Sequence, residues 1–192
     1  MKKAIAFLIS FAMMICSLFS VTSCSTKDPF EDFNKRMKEN KNYKMIFSLK
    51  SDNVGKITQT VYVDKNIMYY PKNTTLMTEE RYVENTDDHV IEYKKSMWTN
   101  KWEKSITKQN SVWNLETNDI FNPDNFEKDR KAATVYKQKK NVIFNNFEDV
   151  TVTFQENTVV FEGVITIERV NYNMKIVISE IGEQSLTLPT VK

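Results

Sequence analysis

The sequence predicts an α+β fold: a single curved antiparallel β-sheet, a half-barrel, with one or two short helices covering its concave face. Three observations predict it. From Tyr43 onward, apolar residues recur mostly at every second position, the period of a half-buried strand. The runs are divided by short turn-forming stretches, so successive strands pair antiparallel. One helical stripe precedes them all. About ten strands in one sheet must curl strongly.

The elements follow in order. Asp28-Pro29-Phe30-Glu31 reads as a helix start. Asp28 caps, Pro29 suits the first helical position, and Glu31 is placed for a capping box. Phe30, Phe33 and Met37 then form one stripe on a helix over 29–40. Tyr43, Met45, Phe47 and Leu49 alternate with polar residues as a first strand. Ile57, Gln59, Val61 and Val63 make a second, turned by Asp64-Lys65-Asn66 into Ile67–Tyr70. Arg81–Glu84 and His89–Lys95 pair around Asn85-Thr86-Asp87-Asp88. A turn at Thr99-Asn100 places Trp98 and Trp102 on adjacent strands, and Val112–Leu115 is a short apolar piece. Asn122-Pro123 or Asp124 to Glu127 starts a second short helix or lid ending near Ala133.

Strands then resume at Thr134–Gln138 and Val142–Phe144, flanking a lysine-rich tip. Val150, Val152 and Phe154 alternate with threonines. Thr158–Glu168 and Tyr172–Glu180 are the longest strands, joined by a turn over 170–173. Val159, Phe161, Ile165 and Ile167 share one face, and Met174, Ile176 and Ile178 face the same side. Gly163 in that row marks a bulge or bend. Ser185–Leu188 closes the chain as a final short strand.

The amino end has a different character. Lys2 and Lys3 precede an almost wholly apolar run, Ala4–Val21. This is the layout of a secretory signal, and its length lies at the lower edge of what spans a hydrocarbon core. A signal and an uncleaved anchor both fit the run. Val21-Thr22-Ser23-Cys24 resembles a bacterial lipobox. That resemblance implies a diacylglyceryl thioether on Cys24, cleavage before it, and acylation of the new amino group. The organisation expected is a signal peptide over 1–23, a lipidated tether over 24–28 and one β domain over 29–192. Its place is the extracytoplasmic face of the cell or outer membrane, held by the lipid on Cys24.

Composition limits the function. With Lys2 and Lys3 set aside, the 27 basic side chains fall to match the 25 acidic ones. A neutral chain lacks the concentrated basic footprint of a nucleic-acid binder, so no nucleic-acid partner is expected. The run Lys137-Gln138-Lys139-Lys140 reads as a solvated tip. Cys16 and Cys24 are the two cysteines, so the domain holds no disulfide and rests on its core. His89 is the sole histidine and reads as a turn residue at a strand start. With no second His and no available Cys, no zinc site is expected. No G-x-S-x-G, phosphate loop or dinucleotide fingerprint is present, and no cofactor and no catalysis are expected. Trp98, Trp102 and Trp113 read as core or hairpin braces, with a sugar-stacking platform as the alternative.

Three features resemble a known group, the bacterial lipoprotein-carrier and lipid-carrier half-barrels typified by LolA and the LppX-like lipoproteins. A short helix stands before the first strand. ITQTVYVDKNIMYY at 57–70 and HVIEYKKSMWTNKWEKS at 89–105 are similar to the family's early hairpins. MKIVISEIGEQSLTLP at 174–189 is similar to its closing strands. The resemblance implies a concave face that shelters acyl chains from water, and it fixes no individual ligand residues. The expected function is therefore non-catalytic binding of a lipid or acyl chain in an apolar cavity. The expected lining is Val152, Phe154, Val159, Phe161, Ile165, Ile167, Met174, Ile176 and Ile178, with a filled core as the alternative. The other reading is a packed β module presenting a surface to an envelope or host protein, its Trp hairpin and the 71–80 loop foremost.

Overall fold

The computed structural model describes residues 28–53, 55–72, 79–108, 121–144, 147–167 and 169–191. The expected signal peptide, Cys24, Val112–Leu115 and Trp113 lie outside the described residues, as does most of the 71–80 loop.

The described residues open with helix α1, Pro29–Asn40. The Asp28 side chain accepts from the N–H groups of Phe30 and Glu31, satisfying donors that a helix start leaves orphaned. Lys41 ends the helix in the left-handed region, its N–H donating to the Met37 carbonyl. Strands β1 (Asn42–Ser51) and β2 (Gly55–Asp64) follow as a hairpin. Next come β3 (Ile67–Tyr70), β4 (Arg81–Asn85), β5 (His89–Lys95) and β6 (Trp102–Lys108). After a 3-10 turn at Pro123–Asn125 come β7 (Phe126–Lys128), β8 (Val135–Gln138), β9 (Phe147–Phe154), β10 (Thr158–Ile167) and β11 (Val170–Ser179).

All eleven strands form one antiparallel sheet in the order β6-β5-β4-β3-β2-β1-β11-β10-β9-β8-β7. The chain starts in the middle, runs out to one edge, reappears at the other edge and returns to the middle. Its first and last strands pair there, with Met45 opposite Ile178 and Leu49 opposite Met174. The sheet is not closed, because β6 and β7 are not paired to each other.

Several expectations change. The helix expected over 122–133 is the 3-10 turn followed by β7, because Phe126 buries its ring in the core and its strand pairs with β8. The last hairpin turns at Arg169, which takes a positive φ of 68°, rather than over 170–173. Trp98 stands in the turn after β5 and not on a strand. Phe144 makes a single bridge to Phe147 in place of the strand expected over 142–144. Ser185–Leu188 forms no strand. It is held instead by hydrogen bonds, the Leu186 N–H to Asp64 and the Asn42 side-chain amide to the Gln184 carbonyl.

Directly opposed residues share a face, so the register defines two surfaces. The helix face carries the core: Phe30 and Phe33 from α1 belong to one buried cluster with Met45, Leu49, Val61, Val152, Phe161, Ile176 and Ile178 from the sheet. Gly163 sits where the β9 and β10 register shifts. A Cβ there would lie 2.9 Å from the Glu148 carbonyl oxygen and 3.3 Å from Val150 Cα, so only glycine fits without movement.

Candidate functional site

The helix face is the place to look for a ligand, and its two ends differ. Over β7–β10 it is occupied by protein. Phe30 centres an aromatic cluster, with ring centroids 5.4 Å from Phe126 and Tyr136, 5.1 Å from Phe154 and 6.5 Å from Phe161. Phe33 adds contacts to Phe154 and Phe161, and Phe121 meets Phe161 at 4.7 Å. The amphipathic stripe of α1 explains this. Its two phenylalanines are the only residues of the helix fully removed from water.

Most of the expected lining therefore sits inside this shared core. Val152, Phe154, Val159, Phe161, Met174, Ile176 and Ile178 are buried. Ile165 is partly buried against the core, and Ile167 is 40% exposed at the far end of β10. A cavity of about 100 Å³ remains between α1 and the β9–β10 turn, lined by Arg36, Phe33, Glu156 and Ile181 among others. Small-molecule pockets run to roughly 300–1,000 Å³, so it is too small for an acyl chain.

Apolar surface continues at the margin of this core. Phe47, Ile57, Met68, Tyr70, Ile165 and Tyr172 are only partly buried. They fall on the helix face: Ile165 lies opposite Tyr172, Leu49 opposite Ile57, and Val63 opposite Met68.

The same face turns polar beyond β3. Tyr70 lies opposite Arg81, Arg81 opposite Lys94, and Val83 opposite Glu92. Arg81 pairs with Glu92 at 2.8 Å, and Lys94 reaches the same carboxylate at 3.2 Å. The guanidinium lies over the Tyr70 ring, 4.6 Å from its centroid. Burial pushes the Tyr70 hydroxyl pKa up, with Arg81 opposing and Glu92 adding to the shift. Arg81 Nε is removed from solvent and has no hydrogen-bond acceptor.

The opposite face carries a row of stacked rings. Tyr62 and Tyr69 are 6.0 Å apart, Tyr69 and Tyr82 are 4.5 Å apart, and Tyr82 meets Trp102 edge-on at 5.4 Å. Lys44, Lys104 and Lys95 sit over Tyr62, Tyr93 and Trp102. Tyr69 donates to Glu80 at 2.9 Å, and burial with that carboxylate raises its pKa. Because the tyrosines stack on one another, they present edges to solvent, whereas a sugar-stacking platform needs free ring faces. Trp102 braces this row, and Trp98 is 94% exposed in its turn.

Among the described residues no cluster of His, Cys, Asp or Glu is arranged to hold a metal, and no helix is long and apolar enough to cross a membrane. His89 opens β5, its N–H donating to Thr86 Oγ1 at 3.1 Å. In the lysine run, Lys137 pairs with Asp129 and Lys139 donates to the Asp124 carbonyl. Arg81, Glu92 and Tyr70 are the residues that sequence reading missed. The signal that finds them is register counted through each turn, which carries the face of Val61 and Val63 onto Met68, Tyr70 and Arg81.

No protein-family model matches this chain, and no curated protein matches it.

Proposed function

We propose that the sheet curls about α1 as a half-barrel whose concave side, the helix face, binds a lipid or acyl chain without catalysis. The chain is held at the extracytoplasmic surface of a membrane by a lipid on Cys24. The observation that carries this reading is the apolar surface left at the margin of the core: Phe47, Ile57, Met68 and Tyr172 pack against it on one face yet stay only partly buried. Strand number supports the curl: an open twisted sheet of eleven strands bends strongly rather than lying flat.

The driving force is apolar burial. Each methylene removed from water contributes about 0.8 kcal/mol, so ten of them supply about 8 kcal/mol before the costs of association. Native mass spectrometry of the full-length chain, extracted from its membrane in mild detergent, tests the reading. A retained lipid mass, removable by organic solvent, is expected. Absence of any retained lipid, also after incubation with membrane extract, would contradict it.

The second reading is a packed interaction module. It draws on the turn after β5, where Trp98 is 94% and Met97 55% exposed. A stoichiometric protein partner lost in Trp98→Ala, with no lipid retained, would favour it.

A further inference from the structure

We infer that Arg81 and Lys94 receive the anionic head of an amphiphile whose tail lies on the apolar helix face beside them. The inference rests on the proposed reading of that face as a lipid-binding surface and names the class of lipid.

One row of residues crosses the sheet on the helix face. The register runs Phe154, Val159, Ile178, Met45 and Val61, and it continues through Tyr70, which follows from the pairing of Val63 with Met68. The next members are Arg81 and Lys94. The row is apolar across six strands and turns cationic at the seventh; its first five members are buried core, and Tyr70, with Met68 and Ile57 on the same face, is the partly buried apolar surface beside the cations. A ligand apolar throughout would leave charged groups desolvated against hydrocarbon, which is unfavourable. An amphiphile matches both halves, since its tail covers Ile57 and Met68 while its head reaches β4 and β5.

The sign of the head follows from the donors. Arg81 and Lys94 share the single carboxylate of Glu92, so this trio keeps one unmatched positive charge. Glu103 lies opposite Lys94 on the exposed edge strand, on the far side from Arg81. Arg81 Nε is buried without an acceptor. The Arg81 side chain is 24% and that of Lys94 48% exposed, so their outward donors can give charge-assisted bonds to a carboxylate or phosphate oxygen. The Tyr70 ring beneath the guanidinium fixes its plane, so the fork is held ready rather than assembled on binding.

The test compares two ligands of one tail length. Full-length protein in non-ionic micelles is given palmitate and hexadecanol together, and retained ligand is counted by native mass spectrometry. Palmitate should be retained about tenfold more than hexadecanol. Arg81→Gln should abolish the preference and leave hexadecanol retention unchanged, which also shows that the variant is folded. Lys94→Gln, more exposed, should reduce the preference. Glu92→Gln, which frees both cations, should increase it, a gain that misfolding cannot mimic. Equal retention of the two ligands overturns the inference while the apolar face stands. Retention of hexadecanol and binding of inorganic phosphate without palmitate preference overturns the amphiphile as the source of the anion. Retention of neither alkyl ligand overturns the proposed function itself, and this inference with it.

Discussion

At Asp28 one carboxylate does two tasks. It caps α1 through Phe30 and Glu31, and it accepts the Tyr136 hydroxyl at 2.6 Å. Burial pushes its pKa up, but Tyr136, the two backbone donors and Lys128 outweigh that, and the net shift is downward from 3.8. A carboxyl lowered in the folded state stabilises above its unfolded pKa, and that contribution is lost as pH falls through the folded value. Asp28→Asn keeps the cap but cannot ionise, so its stability should fall less than that of the native chain between about pH 5 and pH 2. Asp28→Ala loses the cap as well and should cost about 1–2 kcal/mol in urea unfolding at neutral pH. The cap was legible from Asp28-Pro29 because it is local. The Tyr136 contact joins residues more than a hundred positions apart, and no local pattern announces it. Gly163 was legible as marking a bulge because glycine in a strand row has few other uses, though the extra residue lies opposite it on β9, where Asp149 takes a positive φ. Gly163→Ala should destabilise by about 1–3 kcal/mol, since its Cβ would meet backbone rather than a movable side chain.

Among the elements, α1 is the piece on which the core depends. Phe30 is 1% exposed and lies amid four aromatic rings of the sheet and Phe33. Phe30→Ala should cost about 3–5 kcal/mol by calorimetric or urea unfolding. Trp98→Ser, a larger side chain removed from an exposed turn, should change stability by less than about 0.5 kcal/mol. Hairpins with adjacent turn residues were legible, as at Asp64-Lys65-Asn66, because alternation and turn chemistry agree there. The segment after Asn122 was not. Asn122 caps and Pro123 opens a turn in the manner of a helix start, and the side chain of Asn122 does accept from Asp124. Tertiary burial of Phe126 then draws the chain into a strand, overriding the local signal. The turn at Arg169 escaped for a similar reason. A positive φ is normally marked by glycine or asparagine, and Asn171 and Asn173 nearby drew the assignment.

The whole molecule follows from pairing the first strand with the last. That pairing places the long β10 and β11 beside β1 in the middle of one sheet and leaves β6 and β7 as edges. Period and turns make most of the strands legible but not the pairing that joins the two halves of the sheet, because the β1 and β11 partners are separated by the length of the domain. The expected lining of the late strands identified residues that pack together, seven of them buried. The Phe30 and Phe33 stripe was legible as a covering helix face; what local pattern did not reveal was that these rings, with Phe121, fill the space over the late strands and leave the partly buried apolar surface to Phe47, Ile57, Met68 and Tyr172. The central claim is that this surface holds an acyl chain. Photolabelling the full-length chain with a diazirine-bearing fatty acid, then mapping labelled peptides by mass spectrometry, tests it most directly. The account expects label on Phe47, Ile57, Met68 and Tyr172, competed away by unmodified fatty acid. Label confined to Trp98, Ile106 and Ile143 on the exterior, or label that no competitor reduces, would contradict it.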